Sequence, residues 1–241
     1  MKIDAKILKA FVKKASLNGR NMAINMDFTD TGVASTIKER TGISLTSTFL
    51  KNTAFEGYEA IGEIFLKNTM MFLKYIDTFE GDIDIKMSPD VENILEVITE
   101  DREGFVILGD EIVCEEVYRS PFPEVNTTVT VKLGKKDLTR TLGDLSLLKT
   151  THMVIEKIGD TLYLNTGIKN ESDHFKNKLT IDNPEVGDVR VKIADVIIDL
   201  YSSLDGDFEL SLGTDVPVVC KEETEFIDFT CVIAPLNESG V

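Results

Sequence analysis

The chain has 241 residues, with 26 Lys and Arg against 42 Asp and Glu, and a formal net charge of −16. That length holds one large domain or two small ones. No apolar run approaches the roughly 20 residues of a membrane span, and Met1-Lys2-Ile3-Asp4 lacks a signal peptide's apolar stretch, so a soluble, intracellular protein with no membrane partner is expected.

Ile3, Ile7, Leu8, Phe11, Val12 and Ala15 recur at helical spacing while Lys2, Lys6, Lys9 and Lys13 follow one another on another face, which predicts a helix ended by Asn18-Gly19. Met22, Ile24, Met26 and Phe28 alternate as in a half-buried strand that runs into the turn Thr29-Asp30-Thr31-Gly32. Weaker strand patterns follow up to Phe65. A second helix is predicted over Leu66 to Asp77, with Lys67 and Lys74 two turns apart, and Gly81 stops it. Strands are expected over Asp82 to Met87, Glu92 to Thr99 and Phe105 to Leu108.

The segment Glu111 to Asn126 carries two prolines and weak periodicity, as a connector would, yet Val117, Tyr118, Phe122 and Val125 make it too apolar to be merely solvated. After it come a strand over Thr128 to Leu133 and a helix over Lys135 to Lys149, with Leu138, Leu142, Leu145 and Leu148 inward and Lys136 and Arg140 together on another face. Strands Met153 to Lys157, Thr161 to Thr166 and Lys178 to Ile181, a helix over Ile193 to Leu204, a hairpin over Asp207 to Lys221 and a last strand over Phe226 to Ile233 complete the reading, with the tail from Ala234 leaving the sheet.

The chain repeats itself. Phe79 to Val91 aligns without a gap with Leu204 to Val216, 125 positions on, and a helical pattern precedes each copy. The fold class is therefore α+β, with two similar domains, 1–110 and 127–241, joined by the connector 111–126. Each domain carries two helices on antiparallel sheets.

Charge is segregated as well. The three segments Lys2 to Arg20, Leu66 to Ile76 and Lys132 to Lys149 hold 13 of the 26 cations and only three acids, so these 48 residues sum to +10 and the other 193 to −26. An acidic protein with a basic inner surface can still meet an anionic partner.

Catalytic chemistry is hard to find. Cys114, Cys220 and Cys231 are odd in number and lack metal-ligand spacing, which fits a reducing compartment. His152 and His174 belong to no nucleophile elbow, phosphate loop or zinc-type cluster. Asp82 with Asp84, and Asp205 with Asp207, are compatible with metal coordination or simply with the turns of the duplicated hairpin. No catalytic residue, metal or cofactor is assigned, and the protein is read as not an enzyme.

The run Leu210-Ser211-Leu212-Gly213-Thr214-Asp215-Val216-Pro217-Val218-Val219, with Cys231-Val232-Ile233-Ala234-Pro235-Leu236 after it, resembles the C-terminal end of sliding clamps of the proliferating cell nuclear antigen family. The resemblance implies a DNA-clamp fold closed head to tail into a homotrimeric ring. Edge strands at Phe105 to Leu108 and Lys178 to Ile181 would pair between protomers. It implies a processivity factor for DNA polymerase, placed on DNA by a clamp loader and sliding on double-stranded DNA without reading its sequence, in cytoplasm or nucleoid, or in the nucleus or a viral replication site. Lys6, Lys9, Lys13, Lys67, Lys74, Lys136 and Arg140 would face the channel, with Lys14, Arg20, Lys135 and Lys149 at its margins. Asp195 and Asp199 make the fourth helix less positive than the family pattern. Client proteins would insert a short motif against Val117, Tyr118, Phe122, Val125, Pro217, Ile233, Ala234, Pro235 and Leu236. The alternative is a clamp-fold interaction module that does not encircle DNA.

Overall fold

The computed structural model describes residues 1–114, 117–167, 173–181 and 187–236. The chain divides into two compact units, one made of Met1–Arg40, Thr46–Ser120 and Glu223–Phe229, the other of Thr41–Leu45, Pro121–Glu222 and Thr230–Val241.

The first unit contains β1 (Lys2–Asp4), α1 (Ala5–Ala15), β2 (Ile24–Thr29), β3 (Gly32–Lys38), β4 (Ser44–Lys51), the short β5 (Phe55–Glu56), β6 (Gly62–Leu66), α2 (Thr69–Ile76), β7 (Asp82–Met87), β8 (Ile94–Ile98) and β9 (Glu103–Ile107). Its strands run in the orders β5-β1-β7-β8-β9 and β4-β3-β2-β6. The second unit contains β10 (Val129–Leu133), α3 (Lys135–Leu148), β11 (His152–Ile158), β12 (Thr161–Thr166), β13 (Phe175–Thr180), β14 (Val189–Ala194), α4 (Val196–Ser203), β15 (Phe208–Leu212), β16 (Val218–Glu223) up to Glu222, and β17 (Ile227–Ile233) from Thr230 on. Its orders are β10-β15-β16-β17 and β13-β12-β11-β14.

Apart from β5, the two lists superimpose element for element: each unit is strand, helix, three strands, written twice. The aligned segments of the repeat fall on equivalent strands, since β7 and β15 each follow a helix and pair with the unit's first strand, Ile3 opposite Ile83 and Leu133 opposite Phe208.

Local chemistry sets the boundaries. The predicted first helix begins late, because Lys2 to Asp4 pair as β1 and Asp4 then caps α1, its carboxylate accepting the Lys6 N–H at 2.6 Å. Leu8, Phe11, Val12 and Ala15 turn one face of α1 into the core, where a side chain the size of Phe11 contributes about 1.5–3 kcal/mol on burial. Leu17, Asn18 and Gly19 then take positive φ in succession and end the helix. The second helix is also shorter than the pattern suggested. Leu66 closes β6, and Asn68 caps α2 by accepting the Met71 N–H at 2.9 Å, so Lys67 lies in the turn before the helix and not on it.

In the second unit Leu138, Leu142 and Leu145 bury the inner face of α3, and the Gly134 N–H donates to Asp137 at its start. Lys149 takes the left-handed conformation that ends it. The strand β14 differs from the expectation: Val189 to Lys192 carry no predicted element, and Ile193 and Ala194, the start of the predicted helix, end this strand, so that α4 begins only at Val196. Asn237 and Glu238 of the expected tail, and residues 115 and 116 of the expected connector, lie outside the described residues.

Candidate nucleic-acid interface

In the first unit α1 and α2 lie side by side, and Lys9 on α1 forms an ion pair with Asp77 at the end of α2. Lys6, Lys9 and Lys13 stand one above another on α1 at spacings of three and four. Lys6, Lys67 and Lys74 are exposed, and Lys13 is half-buried. Arg20 is engaged elsewhere: its Nε donates to Glu39 at 2.8 Å. Engaged cations carry less free positive charge toward an outside anion.

Lys14 departs from the expectation. It is 0% exposed, with its ammonium 5.9 Å from the ring centroid of Phe229. Three consecutive turns of amphipathic helix put position 14 on the inner face beside Phe11, and the long aliphatic stem is accommodated there. This residue belongs to the core and cannot contact a phosphate in this conformation.

In the second unit α3 and α4 are neighbours, joined by a 2.7 Å hydrogen bond between Thr139 Oγ1 and the Tyr201 hydroxyl. Lys136, Arg140 and Lys149 are exposed. Lys135 is half-buried, donates to the Leu204 carbonyl and lies over the Tyr201 ring at 5.4 Å, so it braces the helix pair. On α4 Asp195 and Asp199 are half-buried at the start of the helix, where carboxylates favour the positive end of its dipole.

The expected client-docking residues divide between the units. In the first, Val117 bridges to Ile37 and the Tyr118 N–H donates to the Thr36 carbonyl at 2.9 Å, so both half-buried side chains sit on a backbone pinned to β3. In the second, Phe122, Val125 and Pro217 are half-buried and Ile233 is buried on β17. The tail after Ile233 leaves β17 and pairs again: the Ala234 N–H donates to Ile43, Pro235 bridges to Ile193, and the Leu236 N–H donates to Lys192.

One residue escaped the sequence reading. Arg119 grips Glu63 with both nitrogens at 2.8 Å and reaches Glu111 at 3.2 Å. Its signal was available, as the lone cation in a connector holding Glu111, Glu115, Glu116 and Glu124.

The remaining candidates are accounted for locally. Asp84 pairs with the N-terminal ammonium at 2.9 Å and Asp82 with Lys2 at 3.7 Å. His152 is half-buried on β11, where burial and then the charge of Lys192 push its pKa down, whereas His174 is exposed. All three cysteines are buried and none is in a disulfide. No helix among the described residues is long and apolar enough to cross a membrane.

Two units of one connectivity, each with a pair of helices on antiparallel sheets, define the fold of the PCNA-type sliding clamps. Among solved structures, the A. fulgidus PCNA bound to the C-terminal region of FEN-1 superimposes with a TM-score of 0.81 at 14% identity, covering 99% of this chain and 98% of that one. PCNA from Entamoeba histolytica gives 0.80 at 20% identity over 98% of both chains. PCNA from Thermococcus kodakaraensis gives 0.81 at 16% identity over 98% of this chain and 99% of that one. No family model and no curated protein matches the sequence. At these identities the likeness establishes the fold.

Proposed function

We propose that the chain is a sliding clamp: a non-enzymatic subunit that closes with two further copies into a ring around duplex DNA and tethers DNA polymerase and short-motif clients to it. The observation that carries this reading is the repetition of one fold, with exposed cations on or beside helices in both copies: Lys6, Lys67 and Lys74 in one unit, Lys136, Arg140 and Lys149 in the other. Contacts of this kind are to phosphates, carry no sequence information and permit sliding. The protein would act wherever DNA is replicated, placed there by a separate clamp loader.

Self-assembly is supported by the sheet edges. β9 and β13 are terminal strands of their sheets. β9 exposes Phe105 (58%) and Ile107 (61%), begins at the acid Glu103 and is followed by the acids Asp110 and Glu111. β13 exposes Phe175 and carries Lys176 and Lys178. Apolar residues with opposite charge on two different edges suit a head-to-tail contact between copies, which also removes both open edges. Docking of a client's short motif is assigned to the connector residues around Tyr118, by analogy with the clamp bound to the FEN-1 C-terminal region.

The test is mass and topology together. Light scattering should give about three times the 26.8 kDa protomer, and loader-assisted protein should stay on closed circular DNA but run off linear DNA. Monomers at micromolar concentration with no retention on circles would overturn the proposal. One observation favours the alternative of a clamp-fold module that never encircles DNA: Lys9, Arg20 and Lys135 are already engaged within the chain. Under that alternative, replacing the exposed helix cations would leave every activity unchanged.

A further inference from the structure

Resting on the client-docking reading above, we propose that Arg119 is the positioning residue of the docking segment: its two-pronged bond to Glu63, shared with Glu111, holds the Val117–Tyr118 backbone in the conformation that a client motif meets.

The geometry is more than a surface ion pair. Glu63 stands on β6, and its Oε1 also accepts from the Asn25 side-chain amide at 2.8 Å. Asn25 is itself buried on β2, where Ser35 donates to its carbonyl oxygen at 3.3 Å. The carboxylate is thus oriented from within the sheet before Arg119 arrives. A guanidinium met by a pre-oriented carboxylate forms two parallel charge-assisted bonds, which fix direction as well as distance. The third contact, to Glu111, ties the start of the connector to the same point. Burial alone would raise the pKa of Glu63, but the bonds from Arg119 and Asn25 and the Arg119 charge together bring it below the ordinary range, so the group is fully ionised at neutral pH.

The chain beyond Arg119 shows why this point matters. Pro121 and Pro123 have no N–H to donate, so the sequence from Ser120 to Pro123 has little means of holding itself to a sheet. Just before them, the Tyr118 N–H to Thr36 bond and the Arg119 to Glu63 pair are adjacent tethers. Loosening one leaves Tyr118 to be ordered by the client, which costs affinity through lost preorganisation.

The experiment uses the full chain, a synthetic peptide of the FEN-1 C-terminal region as probe, and the variants Arg119→Met, Arg119→Lys, Glu63→Gln and the double Arg119→Met/Glu63→Gln. Arg119→Met should speed exchange of the Tyr118 amide at least about tenfold and weaken peptide binding about tenfold, the scale of one charge-assisted bond. Interior β3 amides and the melting temperature should hardly move. Arg119→Lys should recover only part of the affinity, because a point charge cannot fork. The double variant should bind no worse than Arg119→Met. Unchanged exchange at Tyr118 in Arg119→Met overturns the tether. Faster exchange with unchanged affinity, or additive losses in the double variant, overturns the positioning role. If the wild-type chain ignores the peptide while Tyr118 exchange still responds to Arg119→Met, the docking reading itself falls, and this inference with it.

Discussion

The phenolic oxygen of Tyr75 occupies the space where a side chain on Gly104 would begin: an added Cβ would lie 1.3 Å from that oxygen and 2.5 Å from the ring carbon bearing it. Tyr75 comes from α2 and Gly104 from the edge strand β9, so this contact joins a cation-bearing helix to a strand proposed to meet another copy. The ring is also held edge-on to Phe79 at 5.0 Å, and Arg102 lies over both rings while donating to Thr78 at 2.7 Å. Gly104→Ala should therefore destabilise the chain by about 1–3 kcal/mol, as overpacked sites do. Tyr75→Phe should recover only part of that, since the ring carbon still clashes. Thermal or urea melts of the single and double variants check this.

The cations separate into two classes with different phenotypes. Replacing Lys6, Lys74, Lys136 and Arg140 together by Ala should leave the melting temperature and oligomeric mass unchanged. It should also lower the salt dependence of DNA retention, by roughly 0.9 in log–log slope for each phosphate that is no longer neutralised. Lys14→Ala should do the reverse, costing about 2 kcal/mol of stability because a buried stem beside Phe229 is deleted, while any folded protein keeps its grip on DNA. Melts and retention at several salt concentrations distinguish the two.

Those two classes also mark how far the sequence could be read. Long elements with one clear period were legible: α3 starts where expected, with Leu138, Leu142 and Leu145 inward, and β12 is Thr161–Thr166 as read. Elements that run into a different period were not, which is why β1 merges with the helix that Asp4 caps and the last two residues of β14, Ile193 and Ala194, with α4. Among the site residues, Lys6, Lys74, Lys136 and Arg140 are exposed, whereas Lys14, grouped with the cations by residue type, is buried beside Phe229. The partners that engage Lys9, Arg20 and Arg119 lie 68, 19 and 56 positions away respectively. Spacing along the chain carries no signal for such pairs.

Edge complementarity makes a charge prediction. Lys176→Glu with Lys178→Glu places anions on β13 opposite an acidic β9 neighbourhood and should weaken self-association at least about tenfold at low salt, by like-charge repulsion across the contact. High salt should narrow the gap to wild type, and Glu103→Lys on the same chain should restore part of the association. Mass against concentration by light scattering reads each outcome.

His152 gives the stability of the chain a pH dependence. Burial first, and the Lys192 charge second, depress its folded pKa below the unfolded value of about 6.5. The unfolded chain therefore binds the proton more readily, so the contribution is present above about pH 6.5 and is lost as pH falls through the lower folded value. His152→Gln should flatten the stability difference between pH 7.5 and pH 5.5 relative to wild type. Denaturant melts at the two pH values measure it.

Under the proposed assembly, a protomer that pairs through β9 with one copy and through β13 with another would be a monomer in the polymer chemist's sense, able to add a neighbour on each strand. Growth stops by itself only if the bend per added copy divides a full circle into a whole number. A substitution that left both strands intact but altered that bend would yield open spirals and fibres, and a short peptide imitating Phe175–Thr180 would act as a chain terminator.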